Sequence, residues 1–129
     1  MTAEQALADL TEISSQVQSA VLFDAKGKVA ASTLPDAAPF VGAVQDLLAA
    51  AGEARQGSLA QLEAATAEGS VFVVRDGESF IAATTPPEPT VALVFYDLKT
   101  ALRAAGPVKA KAAPRRRAAK KETEDDDAA

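Results

Sequence analysis

Apolar and polar residues alternate most clearly over residues 16–33, where the pattern predicts a strand, a tight turn and a returning strand. One face of the first strand carries Val17, Ser19, Val21 and Phe23, and the other carries Gln18, Ala20 and Leu22. The turn is predicted at 24–27, because Asp24 can bond back to the backbone and Gly27 can adopt a positive φ. Since apolar residues lie on both faces, this sheet needs cover on both sides, from its own helices or from a partner chain.

The longest apolar stripe comes after this hairpin and predicts a long helix. Asp36 is the expected N-cap, Pro39 lies within the expected first turn, and Gly52 is the expected stop. The stripe consists of Phe40, Val41, Val44, Leu47, Leu48 and Ala51. It is wider than one sheet face needs, which indicates a second contact surface beside the core.

Two further helices are predicted, one before the hairpin and one late in the apolar pattern. The first begins with a capping box formed by Thr2 and Gln5 and runs to about Ser14. Its apolar residues are Leu7, Leu10 and Ile13. The last helix is expected to begin at Thr90, and its apolar residues are Val91, Val94, Phe95, Leu98 and Leu102. Because residues 91–96 are rich in β-formers, a strand is an alternative for that stretch.

The region between these last two helices predicts another hairpin and one ambiguous segment. Residues 71–75 form a β-branched strand, Asp76-Gly77 is a hairpin turn signal, and residues 80–84 return from it. Residues 58–67 fit two patterns, since strong helix formers dominate the segment and yet its residues also alternate as in a strand. The residues alone leave helix and strand open there.

Length and charge predict one folded domain followed by a charged tail. With 129 residues, the chain can hold one core, which we place in residues 1–105. That part has 6 Lys/Arg against 13 Asp/Glu, a net charge of −7, whereas residues 106–129 have 7 against 5, a net charge of +2. The tail has no aromatic residue and one β-branched apolar residue, so we expect it to be disordered. An acidic domain is a poor partner for nucleic acid, so none is expected.

The residue inventory also argues against an enzyme. The chain has neither Cys nor His, which removes thiolate chemistry, the commonest general base and the commonest metal ligand. Asp24 and Asp97 could be paired carboxylates, but a turn residue and a helix-surface charge are the simpler interpretation. We therefore expect no catalytic residue, cofactor or metal. Without a signal-peptide pattern or a membrane-spanning apolar run, the expected location is the cytoplasm, with no membrane insertion.

In the order of its elements and in several local motifs, the chain resembles the Roadblock/dynein-light-chain family, and within it the small bacterial MglB-like members. The similarity covers roughly residues 6–104. Its best segments are 21–27 (VLFDAKG), 29–32 (VAAS), the helix from Phe40, 68–75 (EGSVFVVR) and 96–102 (YDLKTAL). The resemblance implies an α+β profilin-like fold of order α-β-β-α-β-β-β-α. Its five-stranded antiparallel sheet has the long helix on one face and the other two helices on the opposite face. It also favours a strand over residues 58–67.

The resemblance further implies how such a protein works. Family members pair through the second helix and the third strand, which predicts a homodimer whose interface holds Phe40, Val41, Val44, Leu47, Leu48, Ala51, Leu59, Gln61 and Glu63. The bacterial members regulate a small Ras-like GTPase by binding it, without inserting an arginine finger. The alternative is a scaffold subunit of a larger complex with no GTPase partner, and a small-ligand sensor is a weaker third interpretation.

Overall fold

The helices and strands follow one another in the order α-β-β-α-β-β-β-α in the computed structural model, which describes residues 1–57 and 59–106. The helices are α1 (Ala3–Ile13), α2 (Ala38–Arg55) and α3 (Val91–Ala105). The strands are β1 (Ser19–Asp24), β2 (Val29–Ser32), β3 (Gln61–Thr66), β4 (Gly69–Asp76) and β5 (Ser79–Thr85). They form one antiparallel sheet in the order β2-β1-β5-β4-β3, so β2 and β3 are its edges.

This arrangement confirms the predicted fold class and the strand within residues 58–67. The helical alternative for that segment is wrong over β3, because its residues pair with β4 from Gln61 opposite Val74 to Thr66 opposite Gly69. The strand alternative for residues 91–96 is also wrong, since they form the start of α3. Ser58 and the part of the predicted tail beyond Gly106 lie outside the described residues.

The core lies on both faces of the sheet, as the double-sided apolar pattern predicts. The sheet residues that pack against α1 and α3 are Ala20, Leu22, Phe72, Val74, Ile81 and Ala83. Those that pack against α2 are Val21, Phe23, Val73, Phe80 and Ala82. Val17 was expected to share a face with Val21, but it precedes β1 and joins the α1/α3 side instead. The alternation of the strand therefore does not extend back to it.

Both predicted hairpin turns follow the expected chemistry, the second with a shift of one residue. Oδ1 of Asp24 accepts hydrogen bonds from the backbone N–H groups of Lys26 and Lys28, both at 2.9 Å, and Gly27 has φ +87°. In the second hairpin, Asp76 pairs with Ser79, so the loop consists of residues 77–78 rather than Asp76-Gly77. These turns fix the register of the strands on either side.

The predicted ends of α2 are wrong at both termini. The N-cap is Ala37 rather than Asp36, and it makes no side-chain capping bond. Because Pro39 has no N–H, a cap at Asp36 would lack one of the two donors that such a residue can satisfy. At the other end the helix continues through Gly52 to Arg55, and Gln56 adopts the left-handed conformation with φ 57°. Gly52 serves the end differently, since its carbonyl accepts from the N–H of Gly57 at 3.2 Å.

The starts of α1 and α3 lie where the sequence predicts them. Thr2 and Gln5 form the reciprocal capping box, with bonds of 2.9 and 3.1 Å. Thr90 is the N-cap of α3, although its side chain makes no capping bond. Its N–H instead donates to Oε1 of Gln16 at 2.6 Å, which joins the start of α3 to the segment that follows α1. The two helices therefore run antiparallel side by side over the sheet.

Candidate protein-interaction surface

Helix α2 buries only part of its predicted stripe against the sheet. Val41 and Val44 are 3% and 2% exposed and belong to the core. The other four stripe residues, Phe40, Leu47, Leu48 and Ala51, are half-buried. Among the described residues, Phe40 and Leu48 pack against that core cluster, whereas Leu47 and Ala51 are not part of it. The stripe thus consists of two core residues and four half-buried residues that retain apolar surface.

The third strand lies beside this helix at the edge of the sheet. Within the described part of the chain, β3 pairs with β4 alone, so one row of its backbone N–H and C=O groups has no strand partner. Leu62 is half-buried and packs on the α2 side. Gln61 and Glu63 are exposed, and the alternation of the strand turns them to the sheet face away from α2. Gln61 and Glu63 were predicted to join the α2 residues in one interface, but they lie on the opposite face of the sheet from α2.

A shallow depression separates the end of α2 from β3. Its volume is about 320 Å³, and its lining consists of Leu48, Ala49, Gly52, Gly57, Leu59, Arg75 and Phe80. The structure thus brings the predicted residues Leu48 and Leu59 together. Sequence reasoning missed Leu62 and Arg75 at this surface, although the alternation of residues 58–67 could have indicated Leu62.

Arg75 is held in place rather than free to extend. Its guanidinium lies 5.5 Å from the centre of the Phe80 ring, and its Nε donates to the carbonyl of Gly77 at 2.6 Å. Phe80 in turn stacks on Phe23, with ring centres 5.3 Å apart. The depression is therefore lined by the ring of Phe80, supported by Phe23, and by the hydrogen-bonded side chain of Arg75.

The polar residues with possible chemical roles are engaged in structure or exposed. Asp24 accepts two backbone hydrogen bonds in its turn, and Asp97 lies on α3, where it is half-buried. In residues 1–57 and 59–106 we find no group of three or more acidic side chains that could hold a metal ion. Within those ranges no helix is long and apolar enough to cross a membrane. The surface built from α2 and β3 offers apolar contact and open backbone hydrogen-bonding groups.

Solved structures of other proteins share this architecture. MglB, a gliding protein from Thermus thermophilus, superposes with a TM-score of 0.72 at 17% identity, over 86% of this chain and 90% of that chain. A Roadblock/LC7 domain from Streptomyces avermitilis gives a TM-score of 0.69 at 18% identity, over 81% and 94%. This chain has the Roadblock/LC7 fold.

A third structure with this fold, an MglB with tetrameric arrangement, gives a TM-score of 0.69 at 16% identity, over 84% of this chain and 90% of that chain. No protein-family model matches the sequence, and no curated protein matches it. The similarity to these proteins therefore lies in the fold, at 16–18% sequence identity.

Proposed function

We propose that this chain is a non-enzymatic, dimeric regulator of a small Ras-like GTPase and acts by protein–protein contact. The observation that carries the proposal is the depression that Leu48 of the α2 stripe shares with Leu59, next to the open edge strand β3, in a fold shared with MglB. The proposal includes a folded domain at residues 1–105, a charged tail at 106–129 and a bacterial cytoplasmic location.

Two features of that surface support the dimer. A second copy related by a two-fold axis would pair its β3 edge with this one and lay its α2 against the same stripe. The pairing satisfies the open backbone groups of β3, and it covers Leu47 and Ala51, which the chain's own core leaves partly exposed. A domain with few aromatic residues gains stability from such a contact.

Two variants test the dimer, one with a new carboxylate on the stripe and one with a carboxylate outside it. Wild-type protein should scatter light as two chains at micromolar concentration, and Leu47→Glu should shift it to one chain while the fold remains intact. The matched control is Ala50→Glu, because Ala50 is exposed on the same helix outside the stripe. Wild-type protein that stays monomeric at high concentration, or a Leu47→Glu variant that stays dimeric, contradicts the interface.

The regulatory mechanism in this proposal uses binding rather than an inserted side chain. Arg75 is occupied by Gly77 and Phe80, and Arg55 and Arg103 lie exposed near the ends of α2 and α3. None of them is held at the α2/β3 surface with a free guanidinium that points outward. A regulator of this kind acts by favouring one conformation of the GTPase switch, which requires unequal affinity for its two nucleotide states.

Turnover by a purified GTPase tests the function. With each Ras-like GTPase of the source organism, we would measure phosphate release and the exchange of fluorescent GDP, with and without this chain. We expect one of the two rates to change, and to change equally with Arg55→Ala, Arg75→Ala or Arg103→Ala. Loss of the effect in an arginine variant would contradict the finger-free mechanism. If no GTPase responds or binds, the scaffold alternative replaces the proposal.

A further inference from the structure

A second apolar groove lies on the opposite face of the sheet, between α1 and α3. Its volume is about 360 Å³, and it is lined along α1 by Ala6, Asp9, Leu10 and Ile13 and along α3 by Tyr96, Asp97, Thr100, Ala101 and Ala104, with Met1 at one end. The buried side chains of Ala6, Leu10 and Ala101 form its floor. The α2/β3 surface has no residue in common with it.

The walls of this groove carry large apolar side chains that face solvent. Ile13 is 72% exposed and Tyr96 is 67% exposed, whereas Leu10, one turn before Ile13, is 3% exposed. Leu93 is 48% exposed and lies one turn before Asp97 on α3. Exposed apolar residues that cluster in this way mark interaction sites more often than scattered ones do.

The charged side chains that line the groove are all acidic. Asp9 and Asp97 line it, and Glu12 follows Asp9 by three residues on the exposed side of α1. The cations of α3, Lys99 and Arg103, lie on the other flank of that helix, where they line a separate pocket beside β4. No Lys or Arg is among the described residues that line the groove. An occupant therefore meets an apolar floor between carboxylates.

We propose that this groove binds an amphipathic helix of a partner protein, with large apolar residues on one stripe and Lys or Arg on both flanks. The groove follows α3, whose 15 residues make a helix of about 22 Å. Three to four turns of a partner helix match that length, with anchors at i, i+3 or i+4, and i+7. Its cations would face Asp9 and Asp97. This site is additional to the proposed α2/β3 surface and does not depend on it.

The same features disfavour the other occupants. A second copy on a two-fold axis would bring the acidic rim of one groove, with Asp9, Glu12 and Asp97, against the acidic rim of the other. Residues 107–129 of this chain hold Val108 and otherwise only alanines and two prolines as apolar side chains, so they cannot supply large anchors. An anionic membrane surface would be repelled by the acidic rim.

The test uses a synthetic, fluorescein-labelled helix of about 15 residues with leucines on one stripe and lysines on its flanks. One control peptide has the same composition in scrambled order, and another has Glu in place of every Lys. Fluorescence anisotropy against the full chain measures affinity, and backbone chemical shifts show where the peptide binds. We expect the Lys peptide to bind at α1 and α3 at least about tenfold more tightly than either control.

Variants of the chain separate the groove from non-specific attraction. Ile13→Ala with Tyr96→Ala should weaken the Lys peptide about tenfold or more without changing the melting temperature, since both side chains are largely exposed. Val29→Ala, at an exposed residue on β2, is the control for apolar truncation. Asp9→Lys with Asp97→Lys should reverse the preference in favour of the Glu peptide.

The control for net charge is a second double reversal, Asp36→Lys with Glu68→Lys, at exposed positions in two loops. It should leave the preference for the Lys peptide in place. Equal binding of the scrambled peptide, no binding of the Lys peptide, or equal binding to the Ile13/Tyr96 double variant overturns the proposal. The proposal is also overturned if the chain self-associates or binds phosphatidylglycerol vesicles and the Ile13/Tyr96 double variant abolishes that association or binding.

Discussion

Replacing Gly69 by alanine tests how the turn between β3 and β4 packs against β5. Gly69 begins β4 with φ +147°, a conformation that L side chains rarely adopt. A Cβ at this position would collide with the backbone carbonyl oxygen of Thr85 on the neighbouring strand. Thr66 holds the same turn, because its Oγ1 donates to the carbonyl of Gly69 at 2.7 Å. The substitution therefore disturbs the segment that anchors the edge strand.

The expected cost has two parts. Forcing a non-glycine residue into this backbone region costs about 1–3 kcal/mol. The collision adds to it, since the blocking atom belongs to the backbone of Thr85 in the paired strand β5, where Ser70 lies opposite Thr85, and cannot move aside like a flexible side chain. We expect a total loss of about 3 kcal/mol or more, which lowers the melting temperature by about 12 °C or more for a domain of this size.

Gly77→Ala is the matched control. Gly77 also has a positive φ, +64°, but nothing lies within 4 Å of the place where its Cβ would be. Its cost should be limited to backbone strain of about 1–2 kcal/mol. Circular dichroism melts at one protein concentration compare the two variants, because the proposed dimerisation would make the melting temperature depend on concentration. If Gly69→Ala loses no more than Gly77→Ala, the proposed packing of the turn against Thr85 is refuted.

Three further predictions concern α2, the first turn and the tail. Leu48→Glu should give monomers by light scattering and also lower the melting temperature, because Leu48 packs against the core and a carboxylate there costs several kcal/mol; an unchanged dimer would contradict this. Asp24→Ala should lower the free energy of unfolding, measured in urea, by about 1–2 kcal/mol, because it removes two side-chain-to-backbone hydrogen bonds. Asp36→Ala, at the wrongly predicted cap, should change it little, and equal losses in the two variants would refute this distinction. Deleting residues 108–129 should leave the melting temperature nearly unchanged, and a loss of several degrees would place the domain boundary elsewhere.

Sequence predicts this fold well where the determinants are local. The turn at Asp24 and Gly27, the capping box of Thr2 and the hairpin after β4 depend on a few adjacent residues whose conformational preferences are strong. Alternation of apolar residues on β1 likewise predicts cover on both faces, which the structure provides. The five-stranded antiparallel sheet and the faces on which the helices lie came from the family resemblance and not from any single motif, and the order of the strands within the sheet was not predicted.

Where tertiary packing decides, sequence reasoning was weaker. Ile13 continues the spacing of Leu10, yet it lies largely exposed, because its position in the last turn of α1 leaves it on the wall of the groove rather than over the sheet. Gly52 looked like a helix stop, but one glycine costs a helix only about 1 kcal/mol and the following turn is retained. The side to which Gln61 points depends on pairing with β4, which no local pattern contains.

The affinity of the full chain for a Ras-like GTPase in its two nucleotide states tests the central claim most directly. Each GTPase of the source organism would be loaded with GDP or with a non-hydrolysable GTP analogue and titrated by isothermal calorimetry. We predict that one GTPase binds with affinities that differ about tenfold or more between the two states, at two chains of this protein per complex. Equal affinity in both states would contradict regulation by this chain, and absence of binding by every such GTPase would contradict the partner itself.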